Sequence, residues 1–208
     1  MPRLIYALKQ KTAALKILLM GNPNVGKSVI FSRLTGIGVI SANYPGTTVE
    51  YTEGNMKLGG QTATLVDAPG VYSLDPCSRV EEVCGKIFAK GADVVVNVID
   101  ATNLERNLNL TLQILERGVP TVVALNLWDV AVKKGIEIDV AALERELGVP
   151  VVATVAVSGQ GIRDLVQSLD RARVPPAIQF DSPDQRWARI GEIAARTQKV
   201  VHRHPSLF

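Results

Sequence analysis

The chain has 208 residues, of which 47% are hydrophobic and 21% charged, with a net charge of +3. This is enough apolar material for one sizeable globular core. No basic run with interleaved aromatic residues occurs, and no apolar stretch reaches the ~18–20 residues of a membrane helix, so we expect a soluble chain that binds no nucleic acid. Met1–Lys16 has scattered basic residues without the apolar core of a signal peptide, and Cys77 and Cys84 are most simply free thiols of a cytosolic protein.

Apolar runs alternate with helical patterns along the chain. The predicted strands are Lys16–Met20, Val49–Met56, Gln61–Asp67, Val94–Asp100, Thr121–Asn126 and Val151–Val155. The predicted helices are Lys27–Thr35, Arg79–Lys90, Arg106–Glu116, Val140–Leu147, Ile162–Arg171 and Gln185–His202. This order predicts an α/β fold with a mostly parallel six-stranded sheet, helices on both faces, and a ligand at the carboxyl ends of the strands.

The first motif, Gly21–Ser28, reads G-N-P-N-V-G-K-S and fits the phosphate-binding pattern G-x-x-x-x-G-K-[ST]. Its glycines let successive backbone N–H groups converge on phosphate oxygens, and the following helix directs its positive end to the same anion. Lys27 can reach the β- and γ-phosphates, and the Ser28 hydroxyl can ligate Mg²⁺. The motif predicts a nucleotide site of the Ras-like P-loop kind.

The next segment, Asn43–Glu50, is rich in turn-forming residues and is expected to be the first switch loop. Gly46, Thr47 and Thr48 would contact the nucleotide here. We choose Thr48 as the residue that closes on Mg²⁺ and the γ-phosphate, because the next strand begins directly after it; Thr47 is the alternative. Without the other motifs, this segment would be an ordinary surface loop.

An aspartate follows the next apolar run, in Asp67-Ala68-Pro69-Gly70. Asp67 can hold the Mg²⁺ water shell, and the Gly70 N–H can contact the γ-phosphate. Alone, this sequence would be a turn after a strand. The position after Gly70, where Ras-like proteins carry the glutamine that orients the attacking water, is Val71. An apolar side chain cannot orient water, so we expect slow hydrolysis.

Two later loops predict recognition of the base. Asn126-Leu127-Trp128-Asp129 resembles the N-K-x-D guanine motif of GTPases, with Leu127 in place of lysine. The Asp129 carboxylate can accept hydrogen bonds from guanine N1 and N2, which adenine cannot supply in that arrangement. Ala156-Val157-Ser158 should begin the fifth GTPase loop, where Ala156 replaces the usual serine. Backbone contacts to guanine O6 do not need that side chain, but nucleotide release is expected to be faster.

Together these motifs, with Asp100–Gln113 (D-A-T-N-L-E-R-N-L-N-L-T-L-Q), resemble the cytoplasmic G domain of the bacterial ferrous-iron transport protein B (FeoB) family. The resemblance runs from about Leu15 to about Leu169. It implies a GTP-hydrolysing switch at the inner face of the bacterial inner membrane that regulates Fe²⁺ uptake. It also implies a permease domain of the same protein and small accessory proteins as partners; the oligomeric state does not follow.

The resemblance implies a K⁺ ion beside the phosphates, because potassium-stimulated GTPases carry an asparagine at the position of Asn24. The alternative is that Asn24 only tolerates the turn geometry of the loop. The expected cofactors are therefore GTP or GDP, Mg²⁺ and K⁺. The expected catalytic residues are Lys27, Thr48, Asn24 and Gly70; Ser28, Thr48 and Asp67 are expected to serve Mg²⁺. The full expected nucleotide-contacting set is Gly21, Asn22, Pro23, Asn24, Val25, Gly26, Lys27, Ser28, Gly46, Thr47, Thr48, Asp67, Gly70, Asn126, Leu127, Asp129, Ala156, Val157 and Ser158.

The end of the chain departs from the family. A G domain is expected over residues 1–172, followed at 173–208 by a short linker and one helix. The family usually has a longer helical region there, before its membrane portion, so we expect a fragment of a transporter with a reduced helical region. Two alternatives remain: a stand-alone GTPase of the RNA-modification or ribosome-assembly type, and a nucleotide-binding module with negligible turnover.

Overall fold

The structure is a computed structural model that describes residues 15–36 and 38–200. Its strands are β1 (Leu15–Gly21), β2 (Ile40–Asn43), β3 (Glu50–Leu58), β4 (Gln61–Asp67), β5 (Val94–Asp100), β6 (Thr121–Asn126), β7 (Ile136–Ile138), β8 (Val151–Ala153) and β9 (Gln198–Val200). Its α-helices are α1 (Lys27–Leu34), α2 (Arg79–Ala89), α3 (Leu104–Glu116), α4 (Trp128–Lys133), α5 (Val140–Leu147), α6 (Ile162–Ser168) and α7 (Pro183–Thr197), and a 3₁₀ turn follows α6 at Leu169–Arg171.

Seven strands form the main sheet in the order β2-β3-β4-β1-β5-β6-β8. β1 lies at its centre, parallel to β4 with Leu18 opposite Val66, and parallel to β5 with Leu18 opposite Val95. β3 runs antiparallel to both β2 and β4. The predicted α/β fold with a mostly parallel sheet is therefore confirmed.

The predicted count of six strands is wrong: within residues 15–36 and 38–200, the main sheet has seven. The additional strand is β2, which lies at the sheet edge with all four residues exposed, so no hydrophobic pattern marks it in the sequence. The strand predicted to end at Val155 ends at Ala153. The C-terminal helix ends at Thr197 and passes into β9, which pairs with β7, whereas a helix to His202 was predicted; His202 lies outside the described residues.

Helices cover both faces of the sheet because successive side chains of β1 point to opposite sides. Ile17 and Leu19 join a buried cluster with residues of α1 and α6. Leu18 and Met20 join a cluster on the other face, which includes residues of α2 and α3. A third cluster joins β6, α3, α5 and α7, so the C-terminal helix shares the core of the fold. Because β4, β1, β5 and β6 run parallel, the carboxyl ends of β1, β4 and β6 lie at one edge of the sheet.

Candidate functional site

The phosphate-binding loop connects β1 to α1, as predicted, and its backbone leaves no room for side chains at two positions. Gly26 has φ +84°, and a Cβ there would lie 2.3 Å from Asn126 Nδ2. A Cβ on Gly21 would lie 2.4 Å from the Val98 carbonyl oxygen. Asn24 is exposed and has φ +64°, which fits the turn-geometry interpretation of this residue. Its role towards K⁺ stays a prediction.

A cavity of about 460 Å³ opens directly over this loop. Among the described residues, it is lined by Asn22, Pro23, Asn24, Gly26, Lys27, Ser28, Val29 and Gly70. Gly70 comes from the segment after β4 and lies against the loop, since a Cβ on it would be 3.0 Å from Pro23 Cα. The structure thus brings the predicted phosphate-binding residues and Gly70 to one cavity.

Lys27 and Ser28, which line this cavity, both contact the Asp67 carboxylate. Lys27 Nζ donates to Asp67 Oδ1 and to the Ala68 carbonyl oxygen, and both ionic groups are more than nine-tenths buried. Ser28 Oγ donates to Asp67 Oδ2 at 3.0 Å. A hydroxyl and a carboxylate at this distance are oxygen donors of the type that Mg²⁺ prefers. The geometry therefore fits a Mg²⁺ ion held between Ser28 and Asp67.

Asn126, at the end of β6, joins the phosphate loop to the fifth loop. Its Nδ2 donates to the Val25 carbonyl oxygen at 2.9 Å. Its Oδ1 accepts from Thr154 Oγ1 at 3.1 Å and from the Ala156 backbone N–H at 3.0 Å. The side chain is almost wholly buried, so these three hydrogen bonds are shielded from water. Asn126 accordingly fixes the spacing of two loops, one 101 residues before it and the other 30 residues after it in the chain.

The segment after Asn126 presents a carboxylate at the same edge. Leu127 adopts a left-handed conformation, φ +59°, immediately before the short helix α4. This turn starts the helix, whose second residue is Asp129. The Asp129 side chain is 41% exposed and lies 3.6 Å from Lys133, one helical turn away. An exposed pair of this kind is weak, so the carboxylate stays accessible to a ligand.

The fifth loop forms a tight turn after β8. Ala156 is buried, whereas Val157 is 73% exposed. Ser158 Oγ donates to the Val155 carbonyl oxygen at 3.2 Å, and Val155 pairs with Gln160 across the turn. The Ala156 backbone N–H therefore contacts Asn126, and contact of Ala156, Val157 and Ser158 with a base stays a prediction.

The first switch segment lies apart from the phosphate loop. It forms the turn of the β2–β3 hairpin, in which Thr47 Oγ1 donates to the Tyr44 carbonyl oxygen at 2.8 Å and accepts from the Val49 N–H at 3.1 Å. Thr48 is exposed and, within the described chain, has no hydrogen-bond partner. Gly46 contacts Arg79 of α2 through its carbonyl oxygen at 3.4 Å. Neither threonine lines the cavity over the phosphate loop.

Residues 71–83, which follow Gly70 and correspond to the second switch segment of a G domain, are attached to α3 by side chains that belong to no nucleotide motif. Gln113 Oε1 accepts from the Leu74 N–H at 2.8 Å, and its Nε2 donates to Asp75 Oδ2 at 2.9 Å. Asn109 Nδ2 donates to the Tyr72 carbonyl oxygen at 3.2 Å. Both residues belong to the Asp100–Gln113 stretch, which was the signal that could have identified them.

A buried arginine of α7 extends the same network. Arg186 Nε donates to Asn109 Oδ1 at 3.0 Å, and its other nitrogens lie 3.5 Å from Asp75 and 3.5 Å from Glu116. The C-terminal helix therefore contacts the second switch segment through a charged side chain. No sequence pattern marked Arg186.

The fold and the loop geometry define a Ras-like P-loop G domain. The family model "Ferrous iron transport protein B" matches residues 15–169. The chain therefore belongs to the ferrous iron transport protein B family, as its motifs indicated.

Individual relatives agree with this assignment. The chain is 47% identical over 162 residues to the Fe(2+) transporter FeoB of Salmonella typhimurium, and 46% identical over 171 residues to that of Escherichia coli K12. These matches cover 76% and 80% of this chain but only 21% and 22% of the relatives, so the chain spans about a fifth of their length.

Solved structures are similar as well. The cytosolic domain of L. pneumophila FeoB superposes with a TM-score of 0.83 at 30% identity, covering 88% of this chain and 99% of that one. A point mutant of S. thermophilus NFeoB bound to GDP gives 0.79 at 28% identity, covering 89% and 100%.

Two features are absent from the described residues. Over 15–36 and 38–200, no helix is long and apolar enough to cross a membrane. In the same ranges, no group of three or more His, Cys, Asp or Glu side chains has an arrangement that could hold a metal ion.

Proposed function

We propose that this chain is the guanine-nucleotide-binding and GTP-hydrolysing domain of a ferrous-iron transporter, acting as a Mg²⁺-dependent and potassium-stimulated switch that regulates Fe²⁺ uptake. The observation that carries the proposal is the convergence of the phosphate loop, Asp67 and the Asn126–Asp129 segment at one edge of the sheet, joined by the Asn126 side chain. A family relative of the same fold is bound to GDP.

Phosphate binding follows from the loop and its helix. Asn24, Gly26, Lys27 and Ser28 line the cavity, and α1 begins there, so its positive end and backbone N–H groups would face a bound phosphate. Lys27 would exchange its contact with Asp67 for the β- and γ-phosphate oxygens. Asp67 and Ser28 would then hold Mg²⁺, with Thr48 completing the site when the first switch closes. The ion would neutralise charge that develops on the phosphates.

Base selection rests on the other two loops. Asp129 would accept hydrogen bonds from guanine N1 and N2, and Leu127 would pack against the base. The backbone N–H groups of Ala156–Ser158 would face O6. An adenine base would leave the carboxylate without donors, which is the physical reason for discrimination against ATP.

Hydrolysis is proposed to be slow without K⁺. Val71 is buried, and its N–H donates to the Gly21 carbonyl oxygen at 3.2 Å, so this position supplies no group to orient water. Asn24, which is exposed and lines the cavity, would hold K⁺ through its side-chain oxygen. The bound cation would offset charge that develops on the β–γ bridging oxygen.

The wider setting is proposed from the family. The domain would lie at the cytoplasmic face of the inner membrane, joined to a permease domain of the same protein, with residues 1–172 as the G domain and 173–208 as a linker and helix. Small accessory proteins of iron transport would be further partners of that assembly.

The test is steady-state GTP hydrolysis in KCl and in NaCl, for the parent chain and Asn24→Ala. We expect stimulation by K⁺ in the parent and loss of that stimulation in the variant, with GDP affinity retained in both. An equal K⁺/Na⁺ rate ratio in the two proteins would remove Asn24 from this role. A cation-indifferent, negligible rate with tight GDP binding would instead indicate a binding module, the function that Val71 favours.

A further inference from the structure

Arg33, in the last turn of α1, contacts the fifth loop. Its Nε donates to the Ala156 carbonyl oxygen at 3.1 Å, and Nη2 donates to the Val157 carbonyl oxygen. The guanidinium therefore binds two successive carbonyls with its planar donor pair. In the described chain, no carboxylate forms an ion pair with Arg33, so these carbonyls are its hydrogen-bond partners.

The two carbonyls determine where the next two N–H groups point. In a trans peptide, the C=O of one residue and the N–H of the following residue lie in one plane and point in opposite directions. Holding the carbonyls of Ala156 and Val157 towards Arg33 directs the N–H groups of Val157 and Ser158 away from it. Within residues 15–36 and 38–200, neither N–H has an acceptor, so both are available to a ligand.

The preceding peptide unit, between Val155 and Ala156, is fixed as well. Its N–H donates to Asn126 Oδ1 at 3.0 Å, and Asn126 in turn donates to the phosphate loop at Val25. Asn126 and Arg33 thus hold successive peptide units of the loop. Arg33 belongs to α1, which begins at the phosphate loop, and Asn126 is hydrogen-bonded to that loop at Val25. Both side chains therefore fix the position of the fifth loop relative to the phosphate loop and α1.

We infer that Arg33 is a positioning residue for base recognition: it orients the backbone N–H groups of Val157 and Ser158 towards an acceptor at the six-position of a purine. This inference rests on the proposed function and deepens it. The ligand chemistry is a purine nucleotide with a 6-oxo group, and Arg33 acts on it through the loop rather than by contact.

The test compares two ligands on three variants. GDP is the first ligand, and 2-aminopurine riboside diphosphate, which keeps the 2-amino group but lacks both O6 and the N1 proton, is the second; each variant is compared with the parent chain for the same ligand. The variants are Arg33→Ala, Arg33→Lys and, as a matched control, Arg163→Ala. Arg163 is an exposed arginine at the start of α6, shortly after the same loop, so its removal changes the local charge without touching the two carbonyls.

We expect Arg33→Ala to raise the dissociation constant for GDP about five- to tenfold, the value of roughly one hydrogen bond, with most of the change in the dissociation rate. Its effect on the analogue should stay below about twofold, because that ligand makes no contact at the six-position. Arg33→Lys keeps the charge but not the planar donor pair, so it should give an intermediate increase. Arg163→Ala should leave both constants within about twofold of the parent.

Three results would overturn the inference. One is an Arg33→Ala chain that melts like the parent and binds GDP within about twofold of it. Another is an equal loss of affinity for both ligands, which would show a general effect on the site. The last is failure of the parent chain to bind GDP. That result would reject the proposed function itself, whereas the first two results would reject only the role of Arg33.

Discussion

Replacing Asn126 by alanine tests the central geometry of the site. The change removes three buried hydrogen bonds, to Val25, Thr154 and Ala156. At about 1 kcal/mol for each, the loss of stability should be roughly 3 kcal/mol. For a chain of this size, about 1 kcal/mol shifts the melting temperature by about 2–4 °C, so we expect the variant to melt roughly 6–12 °C lower.

The assay is thermal unfolding followed by circular dichroism, with Thr154→Val as the matched control. That substitution keeps the side-chain shape and removes one of the three hydrogen bonds, so it should lower the melting temperature by about 2–4 °C. If Asn126→Ala shifted the transition no further than Thr154→Val, Asn126 would not join the two loops in the way described. Weaker GDP binding should accompany the larger shift, because both loops lose their common support.

Two other predictions concern groups outside the site. Burial raises the pKa of the Cys84 thiol to about 12, while Cys77 is exposed. At about pH 8, a thiol reagent should therefore modify Cys77 in the native chain and both cysteines in denaturant. Rapid modification of Cys84 in the native chain would contradict this prediction. Burial acts to raise the pKa of Glu146, but hydrogen bonds from Arg189 and Arg196 outweigh it and hold the pKa below its usual value. The stability that this carboxylate contributes is present at neutral pH and is lost as the pH falls through that pKa. Glu146→Gln should therefore lower the melting temperature by about 2–4 °C at about pH 7 and by steadily less towards about pH 4. A difference in melting temperature that did not depend on pH would refute this prediction.

The sequence predicted the parts of the fold that depend on local patterns. The runs Val94–Ile99 and Val122–Leu125 are buried strands because both faces of the sheet are covered. Elements that depend on distant partners were missed. β7 and β9 each have three residues and form only because they pair with each other across about 60 residues of chain. The short helix α4 was also missed, since it starts from the left-handed turn at Leu127, which side-chain pattern does not indicate.

The candidate site likewise contains residues that local motifs predicted and long-range contacts that they did not. The motifs placed the phosphate loop between a strand and a helix, and Asp67 and Asn126 at strand ends, as the structure has them, because each motif is a short local arrangement. They did not reveal what Asn126 and Arg33 hold in place, since those contacts join residues up to 124 positions apart. The Asp100–Gln113 stretch stood out in the sequence, but the partner of Gln113, the Leu74 backbone N–H, lies 39 residues away and is not indicated by that stretch.

The most direct test of the account is competition between nucleotides for the purified chain in Mg²⁺. A fluorescent GDP analogue is bound first, and unlabelled GDP, GTP, ADP and ATP are then titrated against it. We expect displacement by GDP and GTP and none by ADP or ATP at the same concentrations, because Asp129 and the fifth loop would select guanine. Equal displacement by adenine and guanine nucleotides, or failure to bind the GDP analogue at all, would contradict it.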